Sequence, residues 1–163
     1  MNKLNSYFFG WVLLIASIGA QAQNVTVSNA WARVSVKGQS ASGVFMSLKA
    51  VNTTKLVSVS TSVAKVSQLH QMTMDNNVMK MKALPNGLEL SAGNLVELKP
   101  GGYHIMLMDL QKVLEKDSKI DLQLTFEDES GKRSKMEVSV PVLMQAATSE
   151  SSHDMHAQDH QHH

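Results

Sequence analysis

The stretch from Ile120 to Glu127 constrains this chain more than any other. Ile120, Leu122, Leu124 and Phe126 alternate with Asp121, Gln123, Thr125 and Glu127. A period of two is the mark of a strand half-buried on a core. An Asp-Glu-Ser-Gly-Lys turn follows, and Met136, Val138 and Val140 then repeat the pattern. Upstream, short β-type runs lie at Val34 to Val36, Gly43 to Leu48, Leu56 to Ser60, Ala64 to Met74, Val78 to Leu84, Leu88 to Leu90 and Tyr103 to Leu110. Turn signals separate them, among them Asp75-Asn76-Asn77, Pro85-Asn86-Gly87 and Pro100-Gly101-Gly102. No segment sustains a 3.6-residue period for three turns. The reading is all-β: a β-sandwich with Greek-key connections.

The two ends read differently. Lys3 precedes the apolar run Tyr7 to Ile18, and Ala20-Gln21-Ala22 gives a small-x-small cleavage pattern. The run is short for a membrane span and no stop-transfer pattern follows, so residues 1–22 read as a signal peptide rather than a stable membrane anchor. The mature chain is then expected to begin at Gln23 and to work outside the cytoplasm. Residues 23–144 form the expected domain. Residues 145–163 read as a disordered tail ending in SSHDMHAQDHQHH, a composition that cannot bury enough surface to fold. Its mixed His, Asp and Met content differs from an unbroken histidine tag. His153, Met155, His156, His160, His162 and His163 are candidate metal ligands there.

Composition removes several classes of function. Net charge is +1, with acids and bases interspersed, so no nucleic-acid surface is expected. Cysteine is absent, which excludes a thiolate nucleophile, a redox dithiol, an Fe–S cluster and a Cys-ligated zinc site. It also excludes an electron-transfer blue-copper site, which needs a cysteine ligand. No G-x-S-x-G or comparable nucleophile arrangement occurs, and a histidine brace would need His rather than Gln23 at the mature N-terminus. The chain does not read as an enzyme.

Methionine is the unusual residue, with 11 in the sequence. Of the 7 histidines only His70 and His104 precede the tail, and both fall beside methionines. If Asp75-Asn76 is a two-residue hairpin loop, Met74 opposes Asn77, Met72 opposes Met79 and His70 opposes Met81. A four-residue loop changes the partners and keeps the parity; a three-residue loop breaks it. On the second segment His104, Met106 and Met108 share one face, while Tyr103, Ile105 and Leu107 take the other. Core filling is the default expectation for Met72, Met74, Met79 and Met108. Imidazole and thioether together, without thiolate or carboxylate, form a soft set that suits Cu(I) and poorly suits Zn(II), Mg(II) or Ca(II).

At these residues the chain resembles the periplasmic copper chaperones called PCuAC, whose signature is H-(M)-x10-M-x21-H-x-M. His70 and Met81 match the first pair with ten residues between them, and His104-Ile105-Met106 matches the second. The middle spacing is 22 residues rather than 21, a difference the Pro85 to Pro100 connection can absorb. Asn29-Ala30-Trp31-Ala32-Arg33 and Leu98 to Leu107 add to the likeness, which covers Val25 to Leu143. The resemblance implies a cupredoxin-like sandwich holding one Cu(I) at a shallow site on His70, Met81, His104 and Met106. It implies delivery of that copper, in the periplasm, to a cytochrome oxidase copper centre, often alongside a Sco-type protein. A monomer is expected, although the sequence itself leaves the oligomeric state open. It implies too that the tail binds Cu(II). A periplasmic sequestration protein conferring copper tolerance is the alternative.

Overall fold

The computed structural model describes residues 24–144, and every regular element among them is a strand. These are β1 (Val25–Arg33), β2 (Ala41–Ala50), β3 (Thr54–Ser60), β4 (Ala64–Asp75), β5 (Val78–Ala83), β6 (Leu88–Leu90), β7 (Leu95–Leu98), β8 (Tyr103–Leu110), β9 (Lys119–Asp128) and β10 (Arg133–Leu143). The expected signal segment and the His-rich tail, with all six of its candidate ligands, lie outside the described residues.

The strands pair in the order β5-β4-β8-β7-β2-β1-β10-β9-β3-β6. The chain folds this series into two packed halves, β5 to β1 and β10 to β6, joined where β1 runs parallel to β10 at Ala32↔Val142 and Arg33↔Leu143. One continuous apolar cluster fills the space between them. Val44, Met46, Leu48, Leu69, Ile105 and Leu107 enter it from the first half, and Leu56, Leu90, Leu122, Leu124, Val140 and Val142 from the second. The alternation at Ile120 to Glu127 is realised as expected: Ile120, Leu122, Leu124 and Phe126 are all buried, and their neighbours are not.

Two strands were not visible as alternating runs, and one expected run is not a strand. Val34 to Val36 leaves the ladder because its backbone is engaged elsewhere. Val34 N–H donates to Leu143 O, Ser35 N–H donates to Leu114 O, and the Ser35 hydroxyl accepts from Leu114 N–H. β1 and β7 are the additions. β1 hides its pattern behind a bulge between Ser28 and Trp31, where Asn29 takes φ 51°.

The bulge decides which β1 side chains reach the outer face. Before it, Val27 pairs with the core residue Leu48; after it, Ala32 pairs with the core residue Val44. The inserted residue reverses the parity of the strand. Trp31 and Arg33 are thereby carried to the outer face of the first half, beside Phe45.

Candidate metal centre

The outer face of β4, β8 and β2 is built by direct register. His70 opposes His104 across β4 and β8, Gln68 opposes Met106, and Gly43 of β2 opposes Met106 from the other side. Directly opposed residues share a face, so both histidines and Met106 stand together there. On β8 the other face carries Ile105 and Leu107, fully buried in the core. Both histidines are nonetheless buried, at 6% and 7% exposure. Part of the cover is aromatic: Phe45 lies 6.4 Å from the His104 ring and 4.5 Å from Trp31, centroid to centroid. The Phe45 ring folds over Gly43, where an added Cβ would sit 2.9 Å from Cζ. Glycine at 43 thus leaves room for the ring beside Met106, and the Arg33 guanidinium sits over its face at 5.6 Å.

The β4–β5 hairpin supplies the remaining ligand candidates. Its loop is Asn76-Asn77, not Asp75-Asn76. Both asparagines have positive φ, 48° and 60°, the conformation of a type I′ turn, which matches strand twist and which Asn tolerates. Asp75 therefore pairs with Val78, Met74 with Met79, Met72 with Met81, and His70 with Ala83. The expected opposition of His70 and Met81 is replaced by a diagonal one, while the shared face is kept. Met81, His104 and Met106 line one open pocket of about 300 Å3, together with Met72, Phe45 and Arg33. His70 stands beside it, its ring edge-on to His104 with centroids 5.7 Å apart.

Hydrogen bonds settle which nitrogen each imidazole offers. Pro100 and Gly101 occupy the centre of a tight turn closed by Gly102 N–H donating to Lys99 O at 3.0 Å, with Gly101 at φ 80°. Pro then Gly at these positions is the type II pattern. The turn aims the Gly102 carbonyl at the site, where it accepts from His104 Nδ1 at 3.1 Å and from Met72 N–H at 3.0 Å. Nε2 of His104 is left for a ligand. His70 is the converse: Nε2 donates to Gln68 Oε1 at 3.1 Å, so Nδ1 carries the lone pair, and that nitrogen is buried without a partner. An unmet buried polar atom costs roughly 1–3 kcal/mol, a cost that a bound electrophile would relieve. Burial, and secondarily the neighbouring His104, hold the His70 pKa below its ordinary value, which keeps the ring neutral and able to coordinate.

The donor set selects the kind of metal. Among the described residues no three His, Asp or Glu side chains cluster as a hard or borderline site requires. What the pocket offers besides imidazole is thioether sulfur. The expectation that Met72, Met74, Met79 and Met108 are core filler needs correction. Met74 and Met79 are 63% and 49% exposed, and Met72 and Met108 are half-buried on the outer face. The methionine that fills the core is Met46. Met72 is the pocket residue that sequence reasoning set aside, although its i+2 spacing from His70 already placed it on the ligand face.

Comparison with known proteins gives the chain its relatives. The family described as "Putative lipoprotein LpqE-like" matches residues 25–142. A protein named "Putative lipoprotein Lxx21020" from Leifsonia xyli subsp. xyli is 36% identical over 112 residues, covering 69% of this chain and 68% of its own. The solution structure of CuI-DR1885 from Deinococcus radiodurans is 26% identical, with a TM-score of 0.57 over 78% of this chain and 83% of that one. The copper-bound PCuAC domain from PmoF2 is 18% identical, with a TM-score of 0.54 over 73% of this chain and 93% of that one. At that identity the likeness is one of fold, and it is the fold the sequence resemblance led us to expect. The chain belongs to the LpqE-like family and has the fold of PCuAC domains.

Proposed function

We propose that this chain is a Cu(I) carrier of the cell envelope, with His70, Met81, His104 and Met106 as its ligands. One observation carries the reading. Two buried imidazoles face each other across adjacent strands, each with one nitrogen committed to a hydrogen bond and the other free to coordinate. Two thioethers on the same face complete a soft N/S set of the kind that favours Cu(I). That solved structures of this fold include a copper-bound PCuAC domain and CuI-DR1885 supports the choice of metal. A relative named as a lipoprotein supports an envelope location, in keeping with the signal-like start of the sequence and a periplasmic site of action.

Delivery, rather than storage, is the use the site suits. Met81 is 51% exposed on a hairpin at the edge of the sheet, so a recipient can replace it without opening the core. By the resemblance to PCuAC, the recipient is a copper centre of cytochrome oxidase, with a Sco-type protein as a further partner. The ligand assignment is tested by anaerobic Cu(I) titration of the mature chain followed by X-ray absorption. We expect one tight Cu(I) with both nitrogen and sulfur neighbours, and loss of that site in the double variant Met81→Ala, Met106→Ala with the fold intact. Unchanged Cu(I) affinity in the double variant would sink the assignment. Delivery is tested in a deletion strain under copper limitation: lost oxidase activity supports a carrier, and lost copper tolerance alone supports sequestration.

A further inference from the structure

The β4–β5 hairpin carries more thioether than the pocket uses. Met74 opposes Met79 and Met72 opposes Met81 in consecutive same-face pairs. Both are of the closer kind in which side chains approach most. Counting from the two-residue turn, Asp75↔Val78 is the hydrogen-bonded pair, so Met74↔Met79 and Met72↔Met81 are the non-hydrogen-bonded ones, with Cα atoms about 4.5 Å apart. The backbone agrees, since Met72 N–H points away from β5 and donates to Gly102 O. The result is a ladder of four thioethers. Its inner rung, Met72 and Met81, lines the pocket, and its outer rung, Met74 and Met79, lies in solvent near the tip.

Neither bulk nor core packing accounts for the outer rung. At 63% and 49% exposure these side chains bury little, and an exposed apolar pair at a hairpin tip near a sheet edge is usually replaced by charge. Thioether is what distinguishes Met from the other long apolar residues, and it is a soft donor on a flexible stem. We infer that the hairpin tip is a second soft-metal site, in which Met74 and Met79 with Met72 hold one Cu(I) in sulfur-only coordination. The inference rests on the proposed copper function only for the identity of the metal. Without imidazole and without burial, this site binds more weakly than the pocket. Because Met72 belongs to the inner rung and also to the tip site, it can pass the ion inward by exchanging one thioether partner for another, with copper remaining Cu(I) throughout.

The experiment is a Ag(I) titration, as an air-stable stand-in for Cu(I), of the mature full-length chain labelled with 13C at the methionine methyls. Each methionine reports separately. We expect Met81 and Met106 to move with the first equivalent and Met74 and Met79 with the second. The variant Met74→Leu, Met79→Leu should remove the second event and leave the first. Exposed Met144 is the internal control. If Met74 and Met79 stay still through two equivalents, or move only as Met144 does, the tip is not a site. Movement of Met74 and Met79 with Met81 and Met106 unmoved would overturn the pocket assignment and leave the tip site standing.

Discussion

His70 and His104 face one another across β4 and β8 with their ring planes at 86°, and each is fixed by a different acceptor. For His104 the acceptor is backbone, Gly102 O; for His70 it is a side chain, Gln68 Oε1. The two rings therefore present opposite nitrogens, Nδ1 from His70 and Nε2 from His104. A backbone acceptor is insensitive to substitution. Gln68 is not.

Gln68 is accordingly expected to act as a positioning residue. Gln68→Leu removes the acceptor that holds the His70 tautomer. Loss of such a partner typically costs 10–100-fold in metal affinity. Cu(I) affinity, read by competition with a chromophoric chelator, should fall by about that factor. Gln68 is exposed, so stability should change by about 0.5 kcal/mol or less. Gln68→Glu keeps an acceptor and should restore most of the affinity. If Leu and Glu variants bind alike, the hydrogen bond does not set the ligand nitrogen.

The hairpin turn offers a stability test. Asn77 at φ 60° is in the left-handed region, where a β-branched residue is strained by roughly 1–2 kcal/mol and glycine by none. Asn77→Gly gives the Asn-Gly pair most favoured in type I′ turns. It should raise the urea midpoint slightly with unchanged m, and Asn77→Val should lower it. Equal midpoints for the two variants would mean that the loop is not Asn76-Asn77.

Much of the architecture was legible because alternation is local. Ile120 to Phe126 declares its buried face within one strand, and His104 and Met106 declare theirs by i+2 spacing. The partner of His70 was harder. Moving the two-residue loop from Asp75-Asn76 to Asn76-Asn77 shifts each cross-strand partner by two positions. Parity survives and the pair changes, so Met81 comes to oppose Met72. Choosing between those loops rests on φ at three polar residues that all tolerate a turn. The exposure of Met74 and Met79 was illegible for another reason: they lie on the apolar face of the hairpin, opposite Thr73, Asp75, Lys80 and Lys82, yet every residue of β5 is exposed, so the tip lies beyond the reach of the core and neither of its faces is covered. The bulge at Asn29 needed tertiary information, since nothing in Ser28-Asn29-Ala30 by itself requires a parity reversal.

The β9–β10 turn gives a pH prediction. The Asp128 carboxylate accepts from Ser130 Oγ, Ser130 N–H and Lys132 N–H. The Ser130 hydroxyl first, then the Lys132 amide, hold its pKa below the ordinary carboxylate value. A depressed folded pKa means the unfolded chain binds the proton more readily, so the contribution is present above the unfolded carboxylate pKa of about 3.9. It disappears as pH falls through the lower folded value. Asp128→Ala should therefore melt below the parent at pH 7, with the gap closing under strong acid. A gap independent of pH would place the effect in turn geometry rather than in the carboxylate.

The tail provides the last test, because its donors differ in kind from those of the pocket. Residues 153–163 offer His153, His156, His160, His162 and His163 with Asp154 and Asp159. Several imidazoles with carboxylates and backbone form a harder N/O set that favours tetragonal Cu(II). The pocket adds two thioethers to its imidazoles and favours Cu(I). Two classes of site in one chain are expected, Cu(II) on the tail and Cu(I) in the domain. Truncation after Met144 leaves every residue of the described core in place, so the domain should keep its Cu(I) affinity. Cu(II) binding should be lost with the tail. In the full chain Cu(II) binding should weaken as pH falls below about 6.5, where free imidazoles take up protons. Thioethers do not titrate, so Cu(I) binding should respond less. Titrating both chains with each oxidation state, Cu(II) by its visible and paramagnetic signals, separates the outcomes. If Cu(II) binds the truncated chain as tightly as the full one, the tail is a solvated end and the division of labour fails.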